Sequence, residues 1–182
     1  ARTPPSRMTA EEIAQFFTRL RARDPEPKSE LEYRNAFTLL VAVVLSAQST
    51  DKGVNKATGP LFAIADTPEK MLQLGEDRVR DYIKTIGLYR TKAKNIIGLS
   101  AQLIRDHAGV VPRARTALEA LPGVGRKTAN VVLNIVFGEP AMAVDTHIFR
   151  LGNRTGLAPG VNVLEVELGL GGHPALRQVK GR

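Results

Sequence analysis

One run decides most of what this chain can fold into. From Asn35 to Ala47 apolar residues fall on every side of a would-be helix, and Leu39 to Leu45 contains no polar residue at all. A helix that is apolar all round has to be surrounded by other elements. The run is too short to span a bilayer, so it is predicted to be the buried, central helix of a globular core. Nowhere do apolar and polar residues alternate for long enough to make a convincing strand. The fold class expected is therefore all-α.

Local signals place the remaining helices. Thr9 with Glu12 makes a capping box ahead of an apolar face of Ile13, Phe16, Phe17 and Leu20. Asp24-Pro25-Glu26-Pro27 should end that helix as a rigid link. Asp51 opens the helix after the central one, and Gly59-Pro60 is expected to interrupt it. Thr67-Pro68 is a cap followed by proline at the first helical position, starting a short helix to Leu74. Glu76 to Ile86 and Thr91 to His107 follow, joined by Gly87-Leu88-Tyr89-Arg90. Thr116 to Ala120 leads into a glycine turn, Thr128 to Phe137 comes next, and Asp145 caps a last clear helix to about Arg154.

Charge and composition narrow the function. Of 182 residues, 26 are Lys or Arg and 18 are Asp or Glu, a formal charge of +8, which points to a polyanionic partner. There is no cysteine. That excludes disulfides and thiolate-held metal, and no spacing of histidines and carboxylates suggests another metal site. The basic N-terminus lacks an apolar segment after it, so it does not read as a signal peptide. The expectation is a soluble, cytoplasmic protein without a membrane partner.

The chemistry concentrates in Leu121-Pro122-Gly123-Val124-Gly125-Arg126-Lys127-Thr128-Ala129-Asn130. Gly123 and Gly125 permit a tight turn and a close approach to another molecule. The turn feeds a helix N-terminus, whose unpaired N–H groups and positive dipole end suit a phosphate. Lys127 is out of place there, because a cation sits badly at that end of the dipole. Such a lysine is either well solvated or favours its neutral, nucleophilic form. The segment also has an echo: Ile86 to Ile97 repeats the order glycine turn, arginine, lysine, alanine, asparagine and paired β-branched residues. Two such hairpins can grip a nucleic-acid backbone at two places through charge and helix ends.

Together with Ala143-Val144-Asp145-Thr146-His147-Ile148-Phe149-Arg150 and Leu45-Ser46-Ala47-Gln48-Ser49-Thr50-Asp51, this hairpin closely resembles the endonuclease III family of helix-hairpin-helix DNA glycosylases with lyase activity. The resemblance runs from about Met8 to about Glu167 and includes Ile83 to Tyr89. It implies a helical, barrel-like domain over 29–137, ending in the hairpin, and a reduced second lobe built from 1–28 with 138–168. It implies that Lys127 is the nucleophile and Asp145 its catalytic carboxylate. Gln48 would fill the gap left by an extruded nucleotide and Leu88 would wedge into the opposite strand, while Gly123, Val124, Gly125 and Arg126 bind the DNA backbone. The implied partner is duplex DNA holding a damaged base or an abasic site, met by a bacterial monomer.

The implied activity is excision of oxidised pyrimidines through a lysine Schiff base and β-elimination. For that, Lys127 must be partly unprotonated; the helix dipole, Arg126 and burial are expected to favour this, and a nearby Asp145 to oppose it. Lys127 and Asp145 lie eighteen positions apart, with Gly138-Glu139-Pro140 as a helix stop between them. Such a connection can fold the second helix's start back beside the first.

One departure stands out. Relatives commonly add a four-cysteine iron–sulfur cluster after the last helix, whereas here no cofactor can be built on cysteine, and 169–182 is glycine-rich, basic and without helical periodicity. A flexible, divergent tail is expected there in place of the cluster module. Two function classes follow: an active glycosylase and lyase, or a catalytically weak or inactive helix-hairpin-helix DNA-binding protein lacking that module.

Overall fold

A computed structural model describes residues 7–23 and 29–171, and among them every regular element is a helix. The chain divides into two compact units, Ser29–Phe137 and the paired segments Ala1–Lys28 and Gly138–Arg182. The first holds α2 (Ala36–Ser46), α3 (Asp51–Ile64), α4 (Pro68–Leu74), α5 (Glu76–Ile83), α6 (Tyr89–His107), α7 (Arg115–Glu119) and α8 (Arg126–Phe137). The second holds α1 (Ala10–Arg23), α9 (Thr146–Thr155) and α10 (Val163–Gly171).

The apolar run is the core helix it promised to be. Every residue of α2 from Phe37 to Leu45 is buried, and α3, α6 and α8 pack around it. Each fully buried aliphatic side chain contributes about 1.5–3 kcal/mol relative to exposure, so this helix carries much of the unit's stability. Its start is fixed by a full capping box: the Asn35 side chain accepts from the Thr38 N–H, and the Thr38 hydroxyl accepts from the Asn35 N–H, each at 2.9 Å. Thr67 caps α4 with Pro68 at its first position, as expected.

Two expectations fail in instructive ways. Gly59-Pro60 does not interrupt α3, which runs unbroken to Ile64. Both residues face solvent, and the buried Leu61, Phe62 and Ala65 beyond them hold the helix together across the lost N–H. Likewise the chain does not lose helical order after Arg154. Helix α10 reaches Gly171, so 169–171 is helical; the rest of the expected tail lies outside the described residues, as does the Asp24–Pro27 link. The signal for α10 was Asn162 with Glu165 three residues on: the Asn162 side-chain Oδ1 accepts from the Glu165 N–H at 2.9 Å, and the Glu165 carboxylate accepts from the Val161 N–H at 2.9 Å.

The second unit has its own apolar cluster of Ile13, Val144, Leu157, Ala158, Val166 and Leu170, flanked by Phe16, Phe17 and Phe149. At its edge the Thr9–Glu12 box opens α1, with the Thr9 N–H donating to the Glu12 carboxylate at 2.7 Å.

Candidate active site

Helix α8 and the turn before it set the site. Gly123 takes a left-handed φ of 76°, and a β-carbon there would lie 2.8 Å from Asn95 Nδ2, so only glycine fits between the turn and α6. Val124 anchors the turn: its side chain is buried and its N–H donates to the Leu121 carbonyl at 3.1 Å. Gly125 is exposed, with open space around it, and its carbonyl accepts the first helical bond, from Ala129 N–H at 2.9 Å. Arg126 stands at the first position of α8, with a guanidinium nitrogen 4.0 Å from Glu119.

Lys127 follows, and here the structure corrects an expectation. The residue is exposed rather than withdrawn from water. One face of the first helical turn carries it to the rim of a cleft of about 290 Å³, which it shares with Ser46, Ala47, Gln48, Asp51 and Thr128 over an apolar wall of Leu31, Val43 and Val131. That volume is at the lower end of the range for small-molecule pockets, about 300–1,000 Å³. Lys127 and Gln48, seventy-nine positions apart in sequence, therefore line the same concavity. Asp51 adds a carboxylate to it, which sequence reasoning took only as a helix start although it closes the motif Leu45 to Asp51.

Gln48 and Leu88 are set apart by their backbones. With Ala108 they are the non-glycine residues at positive φ among the described residues, 57° for Gln48 and 59° for Leu88. Both are exposed, Leu88 at 62%. An aliphatic side chain this open gains nothing from burial, and its left-handed backbone costs about 1–2 kcal/mol. Strain of that kind gathers where function requires it.

Asp145 lies in the other unit. It is the N-cap of α9, where its Oδ1 accepts from the His147 and Ile148 N–H groups, each at 2.9 Å. A larger concavity of about 680 Å³ is also in that unit, lined by Phe149, Arg150, Asn153, Arg154 and Gly160; it offers cations but no amine nucleophile. Chemistry outweighs size, so the cleft at Lys127 is the better candidate.

As for metals, no group of three or more potential ligands occurs among the described residues. The chain has no thiolate to offer an iron–sulfur cluster, so the residues present do not fit one.

A hairpin-entered helix with a lysine in its first turn, set in an all-α unit, defines a class of DNA repair protein, and residues 41–168 match the HhH-GPD superfamily of base excision DNA repair proteins. Endonuclease III of Haemophilus influenzae is 60% identical over 153 residues, covering 84% of this chain and 72% of the relative, and endonuclease III of Escherichia coli gives the same figures. The solved structure of a trapped endonuclease III–DNA covalent intermediate superposes with a TM-score of 0.86 at 45% identity, covering 94% of this chain and 82% of that one. The chain belongs to the endonuclease III family of base-excision DNA glycosylases with abasic-site lyase activity.

Proposed function

We propose that this chain, acting as a monomer, removes oxidised pyrimidines from duplex DNA with Lys127 as the nucleophile. The observation that carries the proposal is the shared cleft: an amine at the first turn of α8 faces a concavity that Gln48 also lines. The relative whose complex with DNA was trapped covalently supports a covalent bond between enzyme and DNA.

The steps follow from the groups available. The damaged nucleotide swings out of the stack, a change costing a few kcal/mol that a lesion reduces. Its sugar then covers Lys127, which brings the anomeric carbon to Nζ. The Nζ lone pair attacks the anomeric carbon, the glycosidic bond breaks, and the base leaves with its electron pair. Loss of a proton and ring opening give a Schiff base. Removal of a C2′ proton then expels the 3′ phosphate, and water hydrolyses the imine to free Lys127. Asp145 is the carboxylate assigned to balance positive charge growing on the sugar. Gln48 fills the vacated space and Leu88 parts the opposite strand. The backbone at Gly123, Gly125 and Arg126 seats a phosphate, with Val124 fixing the turn that presents it.

A duplex with a single oxidised pyrimidine tests this. The proposal expects free base and a strand broken on the 3′ side of the lesion. Retention of both base and strand under conditions where the duplex is bound would overturn it.

A further inference from the structure

Lys92 is the echo of Lys127, and the fold uses it in the opposite way. It sits four residues into α6, is only 6% exposed, and its Nζ donates to the Leu45 carbonyl at 2.9 Å, the Ala47 carbonyl at 2.6 Å and the Ser49 hydroxyl at 3.0 Å. A buried ammonium is costly unless each of its three donors finds an acceptor, and here each does. The acceptors belong to the last turn of α2 and the residues after it, the negative end of a helix dipole.

A helix end needs no buried lysine from a residue 47 positions away. Glycine in a left-handed cap closes many C-termini. What the lysine adds is a link between two turns. On one side it grips Ala47 and Ser49, which flank the left-handed Gln48. On the other its own N–H donates to the carbonyl of the left-handed Leu88 at 3.0 Å. The turns nearly touch: a β-carbon on Gly87 would lie 3.8 Å from the Gln48 carbonyl oxygen.

We propose that Lys92 is a positioning residue that clamps the Gln48 turn to the Leu88 turn, so that both probing side chains meet DNA from one rigid, strained platform. Its bearing on activity rests on the assignment of Gln48 and Leu88 to DNA contact made above. Burial also pushes the Lys92 ammonium below the usual lysine range, in keeping with a group enclosed by protein.

The test uses Lys92→Met, which keeps the apolar stem and removes the donors. The Ser49 N–H, bonded to the Ser46 carbonyl at 3.0 Å, reports on the turn through hydrogen exchange. In Lys92→Met its exchange should accelerate on the order of 10²-fold, the loss of more than one charge-assisted hydrogen bond. Single-turnover incision of an abasic duplex should fall on the order of 10²-fold, as misplacement of a probing group does, with affinity for undamaged duplex unchanged. Gln48→Ala combined with Lys92→Met should lose less than the product of the two single losses, because the Lys92 clamp acts in part through Gln48. Unchanged Ser49 exchange, or losses that multiply, would overturn the proposal. If Gln48→Ala alone leaves incision intact, the DNA-contact assignment of Gln48 fails, and Ser49 exchange still decides whether Lys92 holds the turn. Should Lys92→Met not fold, Ser49→Ala removes one acceptor outside the core and is expected to speed local exchange about 10-fold; no change there refutes the clamp.

Discussion

Gln48 and Leu88 hold the same left-handed backbone, φ 57° and 59°, at the tips of two adjoining turns. The third such residue, Ala108, needs no functional reason, since it ends α6 beside Gly109. Leu88→Gly should therefore relieve strain. The gain, offset by the greater freedom of glycine in the unfolded chain, is expected to raise stability by up to about 1 kcal/mol. Damaged-duplex incision should fall in the same variant. Chemical denaturation beside a single-turnover assay checks both; lost stability together with retained incision would show that Leu88 is there for packing.

Gly123 faces the reverse constraint. Alanine would put a β-carbon 2.8 Å from Asn95 Nδ2 at a φ of 76°. Gly123→Ala is expected to destabilise the fold by about 1–3 kcal/mol and to shift the α8 N-terminus, weakening duplex binding in low salt. A melting curve and a binding titration would measure the two effects.

How much of this was legible beforehand depends on the kind of signal. The central helix was plain because nothing but burial suits a run like Leu39 to Leu45. Caps at Thr9, Asn162 and Thr67 are local chemistry, legible as a capping residue with its partner or a proline close behind. The continuation of α3 past Pro60 was not legible, since it depends on tertiary burial of Leu61 and Phe62. In the site, the glycine turn pointed to Lys127 and the family resemblance to Gln48, but the exposure of Lys127 and the burial of Lys92 could not be told apart in two segments that share one order of residue types. Only the approach of α2's C-terminus decides which lysine is enclosed.

Asp145 has a structural duty separable from a chemical one. Asparagine keeps an oxygen for the His147 and Ile148 N–H groups, so Asp145→Asn should change stability by only a few tenths of a kcal/mol, whereas Asp145→Ala should cost about 1 kcal/mol. Base excision should drop steeply in both. Excision that tracks stability across the pair would leave Asp145 as a cap alone.

Lys92 also predicts a pH effect. Its partners are the Leu45 and Ala47 carbonyls and the Ser49 hydroxyl, with no carboxylate among them, and burial lowers its pKa in the fold. Between that lowered value and about 10.4 the unfolded chain binds more protons, so this residue's contribution to stability rises with pH across the window and is lost as pH falls through the folded value. The difference in stability between the parent chain and Lys92→Met should therefore grow in favour of the parent towards pH 10. A difference independent of pH would mean that the charge is not desolvated.

The central claim concerns the amine of Lys127, and borohydride trapping on an abasic duplex addresses it most directly. The parent chain should yield a reduced covalent adduct with DNA, and Lys127→Gln should yield none while still binding duplex. An adduct of undiminished yield in Lys127→Gln would contradict the account, because some other amine would then be forming the bond to the sugar.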